Sequence, residues 1–283
     1  MKKIFALAGL AIFLFGCEQA EPSFNNRVDD TLTFAGRKWD IKTYLDRPWG
    51  PGNNYFSNHP NDVWVDEAGH LHLTISQRDR MRNDGVFEKA WFSTEVISQE
   101  NMGYGTYIWT IRGNPVDIDK EVVLGLFTWD NFTFQEQANS EVDIEFSKWG
   151  VDTTDFTLQY GVQPIAFGQY NEERAFKPEV NNDNWRGVST HAFTWTDTLI
   201  TWQSWPGDQY RPEDTVAIWT FDTSNPPKVK EENGAVSDPI VIPAPGDSTN
   251  ARMNLWLISG ITGPGVPAKH EIVIEDFQYI PLP

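Results

Sequence analysis

The sequence predicts an all-β protein built as an antiparallel sandwich, and three observations carry that expectation. Short runs in which apolar and polar residues alternate recur from about Leu32 to Tyr279, separated by clusters of Gly, Pro, Asn and Asp. This is the pattern of half-buried strands and their turns. No ten-residue stretch repeats its apolar positions with a helical period, and no internal repeat is present. The 283 residues, 14% of them aromatic and 13 of them tryptophan, suffice for one large core, so a single domain is expected.

The N-terminus has its own logic. Met1-Lys2-Lys3 is followed by an apolar run from Ile4 to Phe15 and then by Gly16-Cys17, a basic region, a hydrophobic region and a small residue before cysteine. The run is too short to span a bilayer comfortably. Leu14-Phe15-Gly16-Cys17 looks like a bacterial lipobox, which implies cleavage before Cys17 and lipid attachment to that residue. Residues 1–17 are thus read as a lipoprotein signal peptide. Residues 18–30 are polar and without periodicity and form a flexible tether, and residues 31–283 form the globular domain. Cys17 is the only cysteine, so the fold uses no disulfide. The expected location is outside the cytoplasm, lipid-anchored at a bacterial membrane, with the domain periplasmic or at the cell surface.

Charge narrows the partners. The formal net charge is −18, and removing residues 1–17 takes away two lysines and no acids, leaving −20. This charge argues against nucleic acid and anionic lipid as direct partners, so the membrane is expected to be met only through the N-terminal lipid, and a neutral polymer is weakly favoured over a sulfated one. The chain is expected to be a monomer.

The strands follow in order. Trp39 to Thr43 alternates as a first strand, and Trp49 to Phe56 combines turn formers with aromatics, leaving Trp49 and Tyr55 to line a cleft or to pack a long loop. Val63 to Ile75 reads as a hairpin with Leu71, Leu73 and Ile75 facing inward. His70 and His72 alternate outward without a third ligand at a recognisable spacing, so they read as solvated histidines rather than metal ligands. Arg78 to Gly85 is a charged hairpin tip. Phe92–Ser98 and Gly105–Ile111 are two further strands, and Glu95 in the first faces water by default or, alternatively, touches substrate. Val122 to Trp129 is apolar on both faces and is a central strand. Strands also cover Phe156–Val162, His191–Trp202, Met253–Gly260 and Glu271–Tyr279, while residues 222–250 read as a long surface loop.

Ser140-Glu141-Val142-Asp143-Ile144-Glu145-Phe146 organises the rest. Period-two alternation points Glu141, Asp143 and Glu145 one way and Val142 and Ile144 into the core. Like charges this close oppose one another's ionisation, so at least one carboxyl holds its proton above the ordinary range. Glu141 and Glu145 lie roughly 13 Å apart along a strand, and side chains leaning together narrow that to about 5 or 6 Å, a gap suited to a retaining glycosidase. An acid-bearing strand exposed for solubility is the competing reading. Trp129, Phe132, Phe134, Phe146 and Trp149 within about a dozen residues argue against it, because sugars stack their C–H faces on aromatic rings, although any one aromatic taken singly packs in a core more often.

Glu141-Val142-Asp143-Ile144-Glu145 resembles the Glu-x-Asp-x-Glu signature of glycoside hydrolase family 16, the jelly-roll enzymes that cleave β-glucans and β-galactans in a concave cleft with retention of configuration. The likeness runs in order from about Trp39 to Tyr279 and is strongest over residues 122–150. It implies a two-sheet jelly roll with a concave cleft, Glu141 as nucleophile, Glu145 as acid/base, and Asp143 as the helper that hydrogen-bonds Glu141. It implies Trp129 as a sugar platform; Trp149, among the aromatics flanking the acids, and Glu95, an acid in mid-strand, are further candidate substrate contacts read from the residues themselves. Where the family often carries a histidine, this chain has Gln159, which can still donate a hydrogen bond. The expected activity is endo-hydrolysis of β-1,3- or mixed β-1,3/1,4-glucan, with an agar- or carrageenan-type galactan, transglycosylation, or a non-catalytic glycan-binding lipoprotein as alternatives. No cofactor is expected for catalysis. A structural calcium known in the family would fall to Asp276 alone.

Overall fold

Strand formation follows the alternation, and burial fixes the register. The computed structural model describes residues 30–165, 174–180, 182–185, 187–209, 211–222, 228–230, 236–239, 242–262 and 270–283. Cys17, the signal peptide and the tether up to residue 29 lie outside the described residues. Among the described residues no helix is long and apolar enough to cross a membrane.

In chain order the strands are β1 (Thr31–Phe34), β2 (Arg37–Ile41), β3 (Tyr44–Trp49), β4 (Asn54–Phe56), β5 (Val63–Val65) and β6 (Leu71–Met81). They continue as β7 (Phe87–Ser98), β8 (Gly105–Arg112), β9 (Val122–Trp129), β10 (Val142–Ser147), β11 (Leu158–Val162) and β12 (Ala175–Phe176). The last are β13 (Val188–Trp195), β14 (Leu199–Pro206), β15 (Ala217–Asp222), β16 (Lys228–Lys230), β17 (Val236–Pro239), β18 (Asn250–Leu257) and β19 (His270–Pro281). A four-residue helix, α1 (Phe134–Gln137), lies between β9 and β10.

Pairing sorts these strands into two antiparallel layers. One runs β1-β2-β7-β18-β9-β10-β11-β12. The other runs β5-β6-β19-β8-β13-β14-β15. The hairpin β6–β7, paired from Ser76↔Phe92 to Met81↔Phe87, belongs to both and joins them into one continuous ladder of 17 strands. β3 pairs with β4, and β4 adds to β7 in the parallel sense. β16 and β17 form a separate ribbon. This is the antiparallel jelly-roll sandwich that the sequence predicts.

The core between the layers is made by alternate residues. From the first layer come Val96, Leu124, Leu126, Val142, Ile144, Tyr160, Met253 and Leu255, and from the second Leu71, Leu73, Ile75, Trp109, Ile111, Phe193, Trp202 and Ile274, all fully buried. Each such side chain contributes about 1.5–3 kcal/mol by leaving water. The other face of the first layer, carrying the alternate residues of β7, β18, β9, β10 and β11, is thereby free to form a site.

Four sequence expectations are corrected. Tyr55 packs against Phe92 in a small satellite cluster with the Arg80 guanidinium 4.3 Å from its ring, so it lines no cleft. Arg78 and Arg80 belong to β6, where Arg78 pairs with Asp62 and lies over Phe92, while Arg80 donates to the carbonyls of Leu45 and Asp46; the exposed tip begins only at residue 82. His72 stacks on Trp64 at 4.5 Å and bridges Asp66 (3.2 Å) and Glu271 (2.8 Å), and His70 also meets Asp66, so these histidines are carboxylate partners rather than solvated side chains. Within 222–250, the residues from Ile242 onward run as a buried strap: Ile242 is 7% exposed, and Trp195 Nε1 donates to the Pro243 carbonyl at 3.0 Å. Residues 223–227, 231–235 and 240–241 of that stretch lie outside the described residues.

Candidate active site

β10 and the extended residue just before it, Glu141, place the acids by their pleat. Val142, Ile144 and Phe146 are fully buried on the core side, which turns Glu141, Asp143 and Glu145 onto the opposite, concave face. Two cross-strand rows set their neighbours. In one, Gln159 of β11, Glu145, Gly125 of β9, Asn254 of β18 and Glu95 of β7 lie side by side. In the next, Gly161, Asp143, Phe127, Arg252 and Ile97 do the same.

Each acid has a distinct surrounding. Gln159 Nε2 donates to Glu145 Oε2 at 2.8 Å, and Gln163 Nε2 donates to Asp143 Oδ2 at 3.1 Å. Glu141 and Asp143 share a hydrogen bond with each other. From the second layer Trp202 Nε1 reaches through the core to the main-chain oxygen of Asp143 at 3.0 Å. Glycines leave room beside the acids. A Cβ at Gly125 would lie 2.5 Å from Asn254 Oδ1, and one at Gly161 would lie 3.3 Å from Asp143 Oδ2.

Burial raises all three carboxyls. It pushes Asp143 up to about 7, against the pull of the Gln163 and Glu141 hydrogen bonds. It pushes Glu145 up to about 8, reinforced by Asp143 and opposed by Lys177 and the Gln159 amide. Glu141 is raised well above the usual range by burial and by the charges of Asp143 and Glu145, with Arg252 pulling the other way. A carboxyl that ionises only at mildly alkaline pH is a proton donor at neutrality.

The acids open into a cavity of about 160 Å³ whose lining includes Lys42, Trp49, Phe127, Trp129, Arg252 and Trp256. Trp49 is fixed by stacking on Tyr44 at 5.1 Å, with the Arg47 guanidinium 4.6 Å from the Trp49 ring centre and 6.0 Å from that of Tyr44. The loop after it is pinned to the end of β18 by Asn54 Nδ2, which donates to Pro51 O and Leu257 O. Gly52 in that loop has φ +65°, and a Cβ there would lie 2.6 Å from both Leu257 O and the Trp256 ring, so glycine is required. On the other side Trp129 Nε1 donates to Asn131 Oδ1 at 2.6 Å. The loop beyond it carries three successive non-glycine residues with positive φ, Ala138, Asn139 and Ser140. It is held by buried Asp130, which accepts from Phe132 N, Ser248 N and Thr249 Oγ1.

Of the residues singled out in the sequence, Trp129 lines the cavity with the three acids, and Gln159 stands beside Glu145. Glu95 also lines it, at 1% exposure, so the default reading of a water-facing side chain is overturned. It binds Lys42 Nζ at 3.1 Å, Arg252 Nη1 at 3.3 Å and Asn254 Nδ2 at 3.3 Å. Trp149 stands one shell away, edge-on to Trp256 at 6.4 Å. Half-buried Asp276 accepts from the exposed Gln278 at 2.8 Å. No group of three or more His, Cys, Asp or Glu side chains among the described residues is placed to hold a metal ion. Lys42, Gly125, Arg252, Asn254 and Trp256 were not singled out. The available signal was the run Asn250-Ala251-Arg252-Met253-Asn254-Leu255-Trp256-Leu257, whose polar members alternate with apolar ones and so mark a second polar face.

No protein-family model and no curated protein matches the chain. Solved structures do. The chain is similar to a β-glucanase of Bacillus licheniformis (19% identity, TM-score 0.52, covering 91% of this chain and 95% of that one). It is similar to a non-specific endo-β-1,3(4)-glucanase from glycoside hydrolase family 16 (13% identity, TM-score 0.58, covering 85% and 83%), and to a pseudo β-1,3-glucanase of Mycobacterium tuberculosis (12% identity, TM-score 0.54, covering 86% and 91%). At these identities the likeness establishes the fold, which is the fold of β-glucanases and laminarinases.

Proposed function

We propose that this protein is a retaining endo-glycosidase that cleaves β-1,3- or mixed β-1,3/1,4-glucan by double displacement. The fold alone does not decide activity, since a pseudo-glucanase shares it. The observation that carries the reading is that one extended segment delivers three carboxyls to a tryptophan-lined cleft in unequal surroundings, Glu145 and Asp143 each accepting from a glutamine amide and Asp143 also sharing a hydrogen bond with Glu141.

In this reading an ionised Glu141 oxygen attacks the anomeric carbon while Glu145 gives its proton to the departing glycosidic oxygen. Asp143, bonded to Glu141 and to Gln163, orients the nucleophile. Forming the glycosyl ester removes the charge on Glu141, so Glu145 ionises more readily and takes a proton from water, which attacks the same carbon and releases Glu141. Trp129, Trp49 and Trp256 offer ring faces to pyranose C–H surfaces. Lipid attachment at Cys17 would hold the enzyme at a membrane, where it meets exported polymer.

The test is to incubate the purified chain from residue 18 onward with laminarin, lichenan, agarose and carrageenan and to size the products over time. Short oligosaccharides released from laminarin or lichenan are expected, and Glu141→Ala and Glu145→Gln each lower turnover by several orders of magnitude with the fold intact. Parent rates in both variants would overturn the assignment. Products from agarose or carrageenan alone would move the substrate to galactans.

A further inference from the structure

We propose that Gln163 is a positioning residue for Asp143: its amide, which cannot turn over, holds one oxygen of that carboxyl in place beside the nucleophile, and buried Arg174 fixes the main chain from which it acts. This deepens, and rests on, the reading of Asp143 as the group that orients Glu141.

The position follows from the pairing of β10 with β11. Val142 stands opposite Val162 and Asp143 opposite Gly161, and one residue further on the main-chain N of Gln163 donates to Glu141 O at 3.1 Å. Val162 is fully buried in the core, so the pleat turns Gly161 and half-buried Gln163 toward the acids. Gly161 offers Asp143 no side chain, and a Cβ there would lie 3.3 Å from Asp143 Oδ2 and 2.6 Å from Ile165 Cδ1. The diagonal neighbour, Gln163, is long enough to reach across that space. Its Nε2 donates to Asp143 Oδ2 at 3.1 Å.

Two further sets of contacts remove the freedom of Gln163. Its Oε1 accepts from Ile165 N at 2.8 Å. A main-chain N–H can only donate, so turning the amide over would set NH2 against N–H and oxygen against carboxyl, two repulsions in place of two bonds. Arg174, 1% exposed, donates from Nε to Val162 O at 2.8 Å and from Nη2 to Gln163 O at 2.6 Å. β12 begins at the next residue and pairs with Gly161 and Tyr160, so the guanidinium serves the two carbonyls just beyond that pairing. Main-chain N and O, side-chain N and O of Gln163 are all engaged, and Asp143 meets a donor of fixed direction. A carboxyl held at Oδ2 resists rotation about its Cβ–Cγ bond, which keeps one geometry for the hydrogen bond it shares with Glu141. Such a donor also favours the ionised carboxylate and needs no rearrangement during reaction. The other charged groups lining the cavity with Asp143 are Glu141 and Glu145 on its own segment and Arg252, Glu95 and Lys42 across the floor, while Lys177 acts on Glu145.

Asp143 is titrated directly by carboxyl NMR on protein carrying ¹³C-labelled aspartate, its resonance assigned by loss in Asp143→Asn. Gln163→Met keeps the length of the side chain without its amide and raises the Asp143 pKa by about one pH unit, and Gln163→Glu, which sets a second carboxyl against the first, raises it further. On a glucan that the parent cleaves, Gln163→Met lowers kcat about tenfold or more while KM changes less than about twofold. Arg174→Lys, with a cation but fewer donors, moves both readings the same way by less. An unchanged Asp143 titration in folded Gln163→Met, or a loss expressed in KM with kcat kept, would overturn the proposal. Should Gln163→Met not fold, Gln163→Glu decides by the same titration. The two levels separate cleanly: a parent protein that releases no product from any glycan defeats the glycosidase reading, while the titration still decides whether Gln163 holds the Asp143 carboxyl.

Discussion

Glu145→Gln should abolish turnover and, increasingly as pH rises above 4.5, leave the protein more stable than the parent. The unfolded carboxyl ionises near 4.5 and the folded one at about 8. Below 4.5 the group is neutral in both states and the substitution changes little. As pH rises from 4.5 to 8 the unfolded chain gives up this proton while the folded chain keeps it, so the stability present at low pH is progressively lost, and above 8 the full penalty of a buried anion is felt. At about 1.4 kcal/mol per pH unit the interval corresponds to roughly 5 kcal/mol, and water entering the open cleft reduces this to about 2–3 kcal/mol. Urea unfolding of the parent and of Glu145→Gln at pH 4.5, 6.5 and 8.5 reads it directly. The two curves should coincide at the lowest pH and separate by that amount at the highest, with the variant the more stable. A difference independent of pH, or one favouring the parent at pH 8.5, would show that Glu145 is not held protonated by its surroundings.

Gly125→Ala puts a Cβ 2.5 Å from Asn254 Oδ1, which should cost about 1–3 kcal/mol in a thermal melt and distort the floor beside Glu145 enough to lower turnover sharply. His191 is fully buried between Ser189 and Ser204 and pushed down to about 3 by desolvation. The stability it gives is present above pH 6.5 and lost as pH falls toward 3, so His191→Gln should unfold less steeply with acid than the parent in a pH-dependent melt. Trp202→Phe removes the Nε1 hydrogen bond to Asp143 O. It should cost about 1 kcal/mol for the bond, plus the packing of the lost ring, and lower kcat more than it raises KM.

Much of this was legible in local sequence. Alternation at Glu141–Phe146 and at Leu71–Ile75 gave strands whose apolar members all face the core as expected, because one face of each meets the core and a period of two leaves no other register, although Asp143 and Thr74 on the opposite faces are buried too. The apolar run of β9 gave a central strand for the same reason. What the sequence hid depends on contacts between distant segments. Glu95 reads as a surface acid until β18 and β2 bring Arg252 and Lys42 to it, 157 and 53 residues away. Trp49 and Tyr55 share one loop and look equivalent, yet a parallel pairing of β4 with β7 carries Tyr55 to Phe92 and leaves Trp49 at the cleft. Arg78 and Arg80 resemble turn residues, and only the long β6–β7 pairing and the nearby ring faces make them strand residues.

Because the β6–β7 hairpin is a member of both layers, the two sheets cannot part like the halves of a book. Sliding or splaying them would first have to unzip main-chain bonds along that shared spine. Repacking along the Ser76–Met81 pairing is thus transmitted through β7 to Glu95 and the cavity floor, so a substitution far from the acids can reset the cleft without replacing any residue that lines it.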